Sequence, residues 1–202
     1  NDNAKWDWNE IGGRWAGYFK LKPYASGVRG EDGLMGSCSH KGEGYADRAK
    51  KGDIDFESMR AEAAQEAKDR YLKVMDLVQG TLADFVPWSK AKAMFAPDIE
   101  RAREFYRNQR AVGLLEADPD HRFDDLESYY EVSLQDYVKR ASDRAITTFA
   151  VVKDGKWYEK GEMGWWGCVK DEKDQENWNE EFFKLLDSLP DDTLLTIVDC
   201  HI

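Results

Sequence analysis

Cysteine, positive charge and long apolar runs are all scarce in this sequence. Its three cysteines, Cys38, Cys168 and Cys200, are odd in number and irregularly spaced, which excludes a disulfide framework and makes a reducing cytoplasm the simplest setting. Lysine and arginine number 29 against 40 aspartates and glutamates, a net charge of −11. That balance opposes binding to nucleic-acid phosphates and to anionic membranes, and it suits a basic protein partner or plain solubility. No apolar run approaches the ~18 residues that a membrane-spanning helix needs. The start carries no basic stretch followed by an apolar one. The chain begins at Asn1 rather than Met and reads as trimmed, with a strand expected upstream. Motifs are missing too. There is no Gly-x-Ser-x-Gly, no phosphate-binding loop and no His-Glu-x-x-His.

Aromatic residues, by contrast, are plentiful, at 13% of the chain. An acidic but aromatic-rich chain of 202 residues can bury a substantial core, which excludes global disorder. We expect one α+β domain: sheet-forming ends at residues 1–22 and 146–202, a glycine-rich loop at 23–52, and a helical block at 53–145.

Trp6, Trp8 and Glu10 alternate as in an extended strand, and Gly12-Gly13 interrupts the alternation. Trp15 to Leu21 reads as a second strand. Residues 23–52 show no periodicity and read as a long irregular loop. Gly27, Gly30, Gly33 and Gly36 lack the flanking strand and helix of a nucleotide fingerprint. Asp53 or Asp55 is placed to cap the next helix. Phe56, Met59, Ala63, Ala67, Tyr71, Val74 and Val78 then recur at helical spacing. A short helix over 88–95, one from Pro97 to about Leu115, and one or two over 123–145 with Ser133 as an internal cap complete the block.

Thr147 to Lys153 is a strand, Asp154-Gly155 a two-residue hairpin turn, and Lys156 onward the returning strand. Asp174 is a candidate cap for a helix whose apolar face is Trp178, Phe182, Leu185 and Leu189. Thr193 to Asp199 is the apolar run of a buried strand.

The two ends carry a resemblance. Lys5-Trp6-Asp7-Trp8 with Ile11-Gly12-Gly13-Arg14-Trp15, Lys51 to Phe56, Asp154 to Trp166 and Leu194 to Ile202 together resemble segments of uncharacterised proteins of phages, prophages and gut bacteria. About half the chain is covered, and the helical middle is not. Members of that family begin with a short apolar strand before the tryptophan motif. The resemblance implies an intracellular accessory protein of a mobile element; it implies no activity and no catalytic residue.

Two kinds of site compete. Trp6, Trp8 and Trp15 with Arg14 as a charged anchor read either as cover for a sheet or as an aromatic surface for a host protein partner. Asp199 and His201, two apart on the last strand and so on one face, read either as a terminal ion pair or as the acid–base pair of a small hydrolase acting on a nucleotide or phosphoester. A structural or virion-associated module is a third reading. Cys38, His40, Cys168, Cys200 and His201 fit no standard zinc spacing, so no metal or other cofactor is expected. Asp118, Asp120, Asp124, Asp125 and Glu127 form an acidic patch suited to mimicry of nucleic acid. Arg101, Arg103, Arg107 and Arg110, offset by Glu100 and Glu104, read as a solvated mixed-charge face.

Overall fold

The computed structural model describes residues 8–33, 36, 42–164 and 167–201, with His201 described by its backbone alone. Among these, six short strands come first: β1 (Trp8–Gly13), β2 (Phe19–Lys20), β3 (Gly27–Val28), β4 (Glu31–Asp32), β5 (Tyr45–Ala46) and β6 (Arg48–Lys50). Helices follow: α1 (Phe56–Val78), α2 (Trp88–Met94), α3 (Ile99–Arg107), α4 (Arg110–Ala117), α5 (Glu127–Tyr130) and α6 (Leu134–Arg144). Then come β7 (Ala150–Lys153), β8 (Lys156–Glu159), β9 (Glu162–Met163), β10 (Val169–Lys170), α7 (Gln175–Asp187), β11 (Leu194–Thr196) and β12 (Val198–His201). The class is α+β, with small sheets built from both ends and a helical block between them. The chain divides into two compact units, Asn1–Ala61 with Asp143–Ile202, and Glu62–Ser142.

In the first unit the terminal strands pair, as their apolar content predicts. β1 runs antiparallel to β12, with Glu10 opposite Asp199 and Ile11 opposite Val198. β12 is separated from β11 by Ile197, which turns into the core. β11 pairs antiparallel with β6, and β6 with β3. β3 runs on into β4, which lies parallel to β1. Four chain segments thus close a circuit of hydrogen bonds. One row crosses three of its seams: Gly12 N–H donates to the Ile197 carbonyl at 3.1 Å, Ile197 N–H to Asp47 at 2.8 Å, and Asp47 N–H to Val28 at 2.9 Å.

The segment expected to be an irregular loop therefore supplies four strands. They are two or three residues long, too short for an alternation to show in the sequence. Two of its glycines mark close packing. A Cβ on Gly30 would stand 2.0 Å from the Ile11 carbonyl oxygen, and one on Gly27 would stand 2.5 Å from Ala46 Cβ. Phe19, Ala49, Ile54 and Ile197 fill the core beside the circuit, with Phe56 and Met59 of α1 against them.

The expected hairpin is present. β7 and β8 are antiparallel, and Asp154 and Gly155 both take positive φ, at 53° and 74°, as a tight primed turn requires. Asp174 caps α7 by accepting from Asn177 N–H at 2.9 Å. Trp178 and Phe182 are buried on that helix, and the Trp178 indole N–H donates to the Thr148 carbonyl at 2.8 Å.

The second unit packs Val74 and Val78 of α1 against Phe85, Val112, Leu115 and Tyr129. The helix expected from Pro97 to Leu115 is two helices. Gln109, at the joint, has extended backbone, with φ −70° and ψ 139°, and its side-chain amide accepts from Val86 N–H at 2.6 Å and donates to the Val86 carbonyl at 2.9 Å. Ser133 does cap α6, accepting from Asp136 N–H at 3.1 Å.

A polar network ties α1 to the loop before α5. Arg70 pairs with both oxygens of Asp124, and the Tyr129 hydroxyl donates to Asp124 at 2.6 Å. Burial by itself would raise the Asp124 pKa, but the donors Arg70 and Tyr129 together hold it below the ordinary carboxylate range. A depressed folded pKa gives stability that is complete above the unfolded value and lost as pH falls through the folded one. Stability should therefore begin to fall near pH ~4 and keep falling below it, and Asp124→Asn should flatten that limb. Thermal unfolding of both proteins from neutral to acid pH checks this.

Candidate functional site

The site is built where β1 ends. Gly12 and Gly13 both take positive φ, at 83° and 57°, and the next residues wind into a turn in which Trp15 N–H donates to Gly12 and Ala16 N–H to Gly13. Glycine is required twice over at position 13, because a Cβ there would stand 2.5 Å from Asp199 Cβ. The turn buries Ala16 completely and leaves Trp15 44% exposed.

Arg14 folds back over Asp199. Its Nε donates to Oδ2 at 2.9 Å and to Oδ1 at 3.0 Å, a terminal nitrogen donates to Oδ1 at 2.5 Å, and its backbone N–H donates to Oδ2 at 2.9 Å. Asp199 is buried while the Arg14 side chain is half exposed. Bidentate pairs of this kind fix a guanidinium in one orientation, and lysine cannot reproduce them. The Arg14 guanidinium carbon lies 6.0 Å from the centre of the Trp15 ring.

Behind this pair lies a second buried carboxylate. Asp47 is wholly buried, between β5 and β6. Its Oδ1 accepts from Gly17 N–H at 2.7 Å and Tyr18 N–H at 3.0 Å, and its Oδ2 accepts from Gly30 N–H at 2.8 Å. Asp47 thereby anchors the Arg14–Trp15 turn to the β3–β4 segment. The sequence reading missed it. The one signal present was weak: an acid flanked by Ala46 and, two positions on, Ala49, within a glycine-rich stretch.

Two sites expected separately are thus one. Arg14, from the aromatic surface, and Asp199, from the acid–base pair, bind each other. Trp8 is 45% exposed, and by alternation shares the face of β1 and β12 that carries Glu10 and Asp199. Trp6 lies outside the described residues. His201 is opposite Trp8 in register, and its side chain also lies outside them. Burial, and next the charge of Asp199, push the Cys200 thiol up, so it stays protonated at neutral pH. Asp55 caps α1, with Ser58 N–H on Oδ1 at 3.0 Å and the Ser58 hydroxyl on Oδ2 at 2.7 Å.

In the acidic patch, Asp118 bonds His121, Asp124 bonds Arg70, Asp125 accepts from Glu127 N–H, and Glu127 accepts from Trp88 N–H. Four of its five acids are turned to the chain's own donors, which suits mimicry of nucleic acid poorly. Among the described residues no group of three potential ligands could hold a metal ion, and no helix is long and apolar enough to cross a membrane. Cys38 and His40 lie outside the described residues. Chemically, the site offers a fixed cation beside an indole, and two carboxylates whose oxygens already accept from arginine and from backbone amides. Comparison with protein-family models, curated proteins and solved structures finds no match to this chain.

Proposed function

We propose that this protein acts by binding a protein partner through the surface at the end of β1, with Arg14 and Trp15 at its centre and Trp8 at its margin. One observation carries the reading: the Arg14 guanidinium is clamped on a buried carboxylate yet half exposed, beside an indole that is 44% exposed. Orienting a cation and a flat apolar ring before contact lowers the ordering cost of association. Aromatic residues and arginine are also the side chains that dominate binding energy at interfaces. The resemblance of the two ends supports an accessory role in a phage or related mobile element, and the free thiols of Cys168 and Cys200 support a cytoplasmic setting. The hydrolase alternative needs Asp199 to orient and charge His201, whereas the contacts described for its carboxylate run to the Arg14 guanidinium and backbone.

Affinity capture from bacterial lysate tests the proposal. The intact chain should retain a defined partner, Trp15→Ala should lose it by at least tenfold, and His201→Ala should keep it. Equal capture by Trp15→Ala would overturn the assignment of this surface. So would hydrolysis of a nucleotide or phosphoester panel that disappears in Asp199→Asn.

A further inference from the structure

We infer that a cleft in the Glu62–Ser142 unit binds a small zwitterion with an apolar side group, of the class of apolar amino acids and dipeptides. The cleft is an open depression of about 570 Å³ between the turn at Gln79–Asp84, the end of α2, one face of α3 and the start of α4. That volume lies within the ~300–1,000 Å³ of small-molecule sites. It shares no residue with the surface at β1.

The floor is aromatic. Phe95 and Phe105 meet with ring centroids 5.2 Å apart, and Phe85 is buried beside them. The walls carry four charged side chains, Arg101, Arg110, Asp84 and Glu104, all exposed. Among the described residues none of these four forms an ion pair. The contrast on α3 itself is direct: Arg103 and Glu100 close to 2.5 Å, whereas Arg101 and Glu104, at the same spacing, do not pair. Arg101 lies instead over the Phe95 ring, 5.2 Å from its centre. Gln109 is spent on the Val86 backbone, but the Asn108 amide, one helical turn beyond Glu104, makes no side-chain hydrogen bond among the described residues.

The charges select the ligand. A simple anion meets Asp84 and Glu104, a simple cation meets Arg101 and Arg110, and a neutral apolar molecule covers four charges without answering any. A molecule that carries one carboxylate, one ammonium and an apolar body satisfies the arginines, the acids and the phenylalanines together. Recognition of this kind excludes single-charge analogues by leaving a wall charge unanswered.

The test titrates the full chain with the dipeptide phenylalanyl-leucine, followed by calorimetry or amide NMR shifts. Its N-acetylated form, its C-terminal amide and the doubly capped form run beside it. We expect saturable binding of the free dipeptide, at least tenfold weaker binding of each singly capped form, and a similar loss in Arg101→Gln with an unchanged circular dichroism spectrum. Arg110→Gln, on another wall of the cleft, provides a second exposed variant should Arg101→Gln disturb α3. Absence of saturation up to about 10 mM, a Kd worth under ~3 kcal/mol, would overturn the inference. Equal binding of the doubly capped peptide would overturn it as well, since the cleft would then read apolar chain alone.

Discussion

Asp47→Ala should destabilise the unit that contains both chain ends by about 3–5 kcal/mol, a large part of the ~5–15 kcal/mol that holds a typical domain together. The reasoning starts from a count of donors. Gly17, Tyr18 and Gly30 N–H all end on the Asp47 carboxylate, and Asp47 is wholly buried. Removing the acceptor strands three amide groups, and each buried, unpaired donor costs ~1–3 kcal/mol. Water entering the vacated space recovers part of that, so the expected result lies at the low end of the sum, about 3–5 kcal/mol of a possible ~3–9. Asp47→Asn separates the loss of charge from the loss of shape. Its carbonyl can still accept from Gly17 and Tyr18, but its amide then faces Gly30 N–H, donor against donor. It should fall about midway between parent and alanine variant. Urea unfolding followed by tryptophan fluorescence measures all three. Equal stability of Asp47→Ala and the parent would mean that the circuit closes without its central acceptor, and equal loss in both variants would mean that the negative charge alone matters.

The same residue shows what could be read from the sequence and what could not. The pairing of the two ends was legible because β1 and the run from Thr193 to Asp199 carry tryptophan, isoleucine and valine in patterns that only a sheet explains. The Asp154-Gly155 turn, the Asp174 cap and the Ser133 cap were legible because each depends on a local chemistry, complete within four residues. The strands between residues 27 and 50 were not, because nothing local specifies them. They are held by partners far away along the chain, such as Leu195 opposite Ala49, and by the row from Gly12 through Ile197 and Asp47 to Val28. The site divides in the same way. That Arg14, Trp15 and Asp199 were candidates was visible from residue type. That Arg14 and Asp199, 185 positions apart, form one pair depends on the closure of the circuit, which no spacing encodes.

Gly30→Ala should be the second severe change, at about 3 kcal/mol or more, the upper end for forcing a methyl group into a packed site. The added Cβ would stand 2.0 Å from the Ile11 carbonyl oxygen and 2.5 Å from its carbon. Both atoms are backbone, so no rotamer change relieves the contact. Either β1 or the β3–β4 segment must move, and the movement takes Gly30 N–H away from Asp47 and loosens the parallel pairing of Gly12 with Glu31. The steric cost and the lost hydrogen bond therefore arrive together. Gly42→Ala is the matched control, because a Cβ there meets nothing within 4 Å among the described residues and the residue has no positive φ. It should leave stability within about 0.5 kcal/mol of the parent, as exposed substitutions away from special features do. Thermal unfolding of the two variants beside the parent decides between two roles for the glycine-rich stretch. A large loss in Gly30→Ala alone fits a segment packed against β1 through its missing side chain. Equal, small effects in both would make it the flexible connector that its composition suggests, and would remove the physical basis for placing Arg14 and Trp15 on a rigid turn.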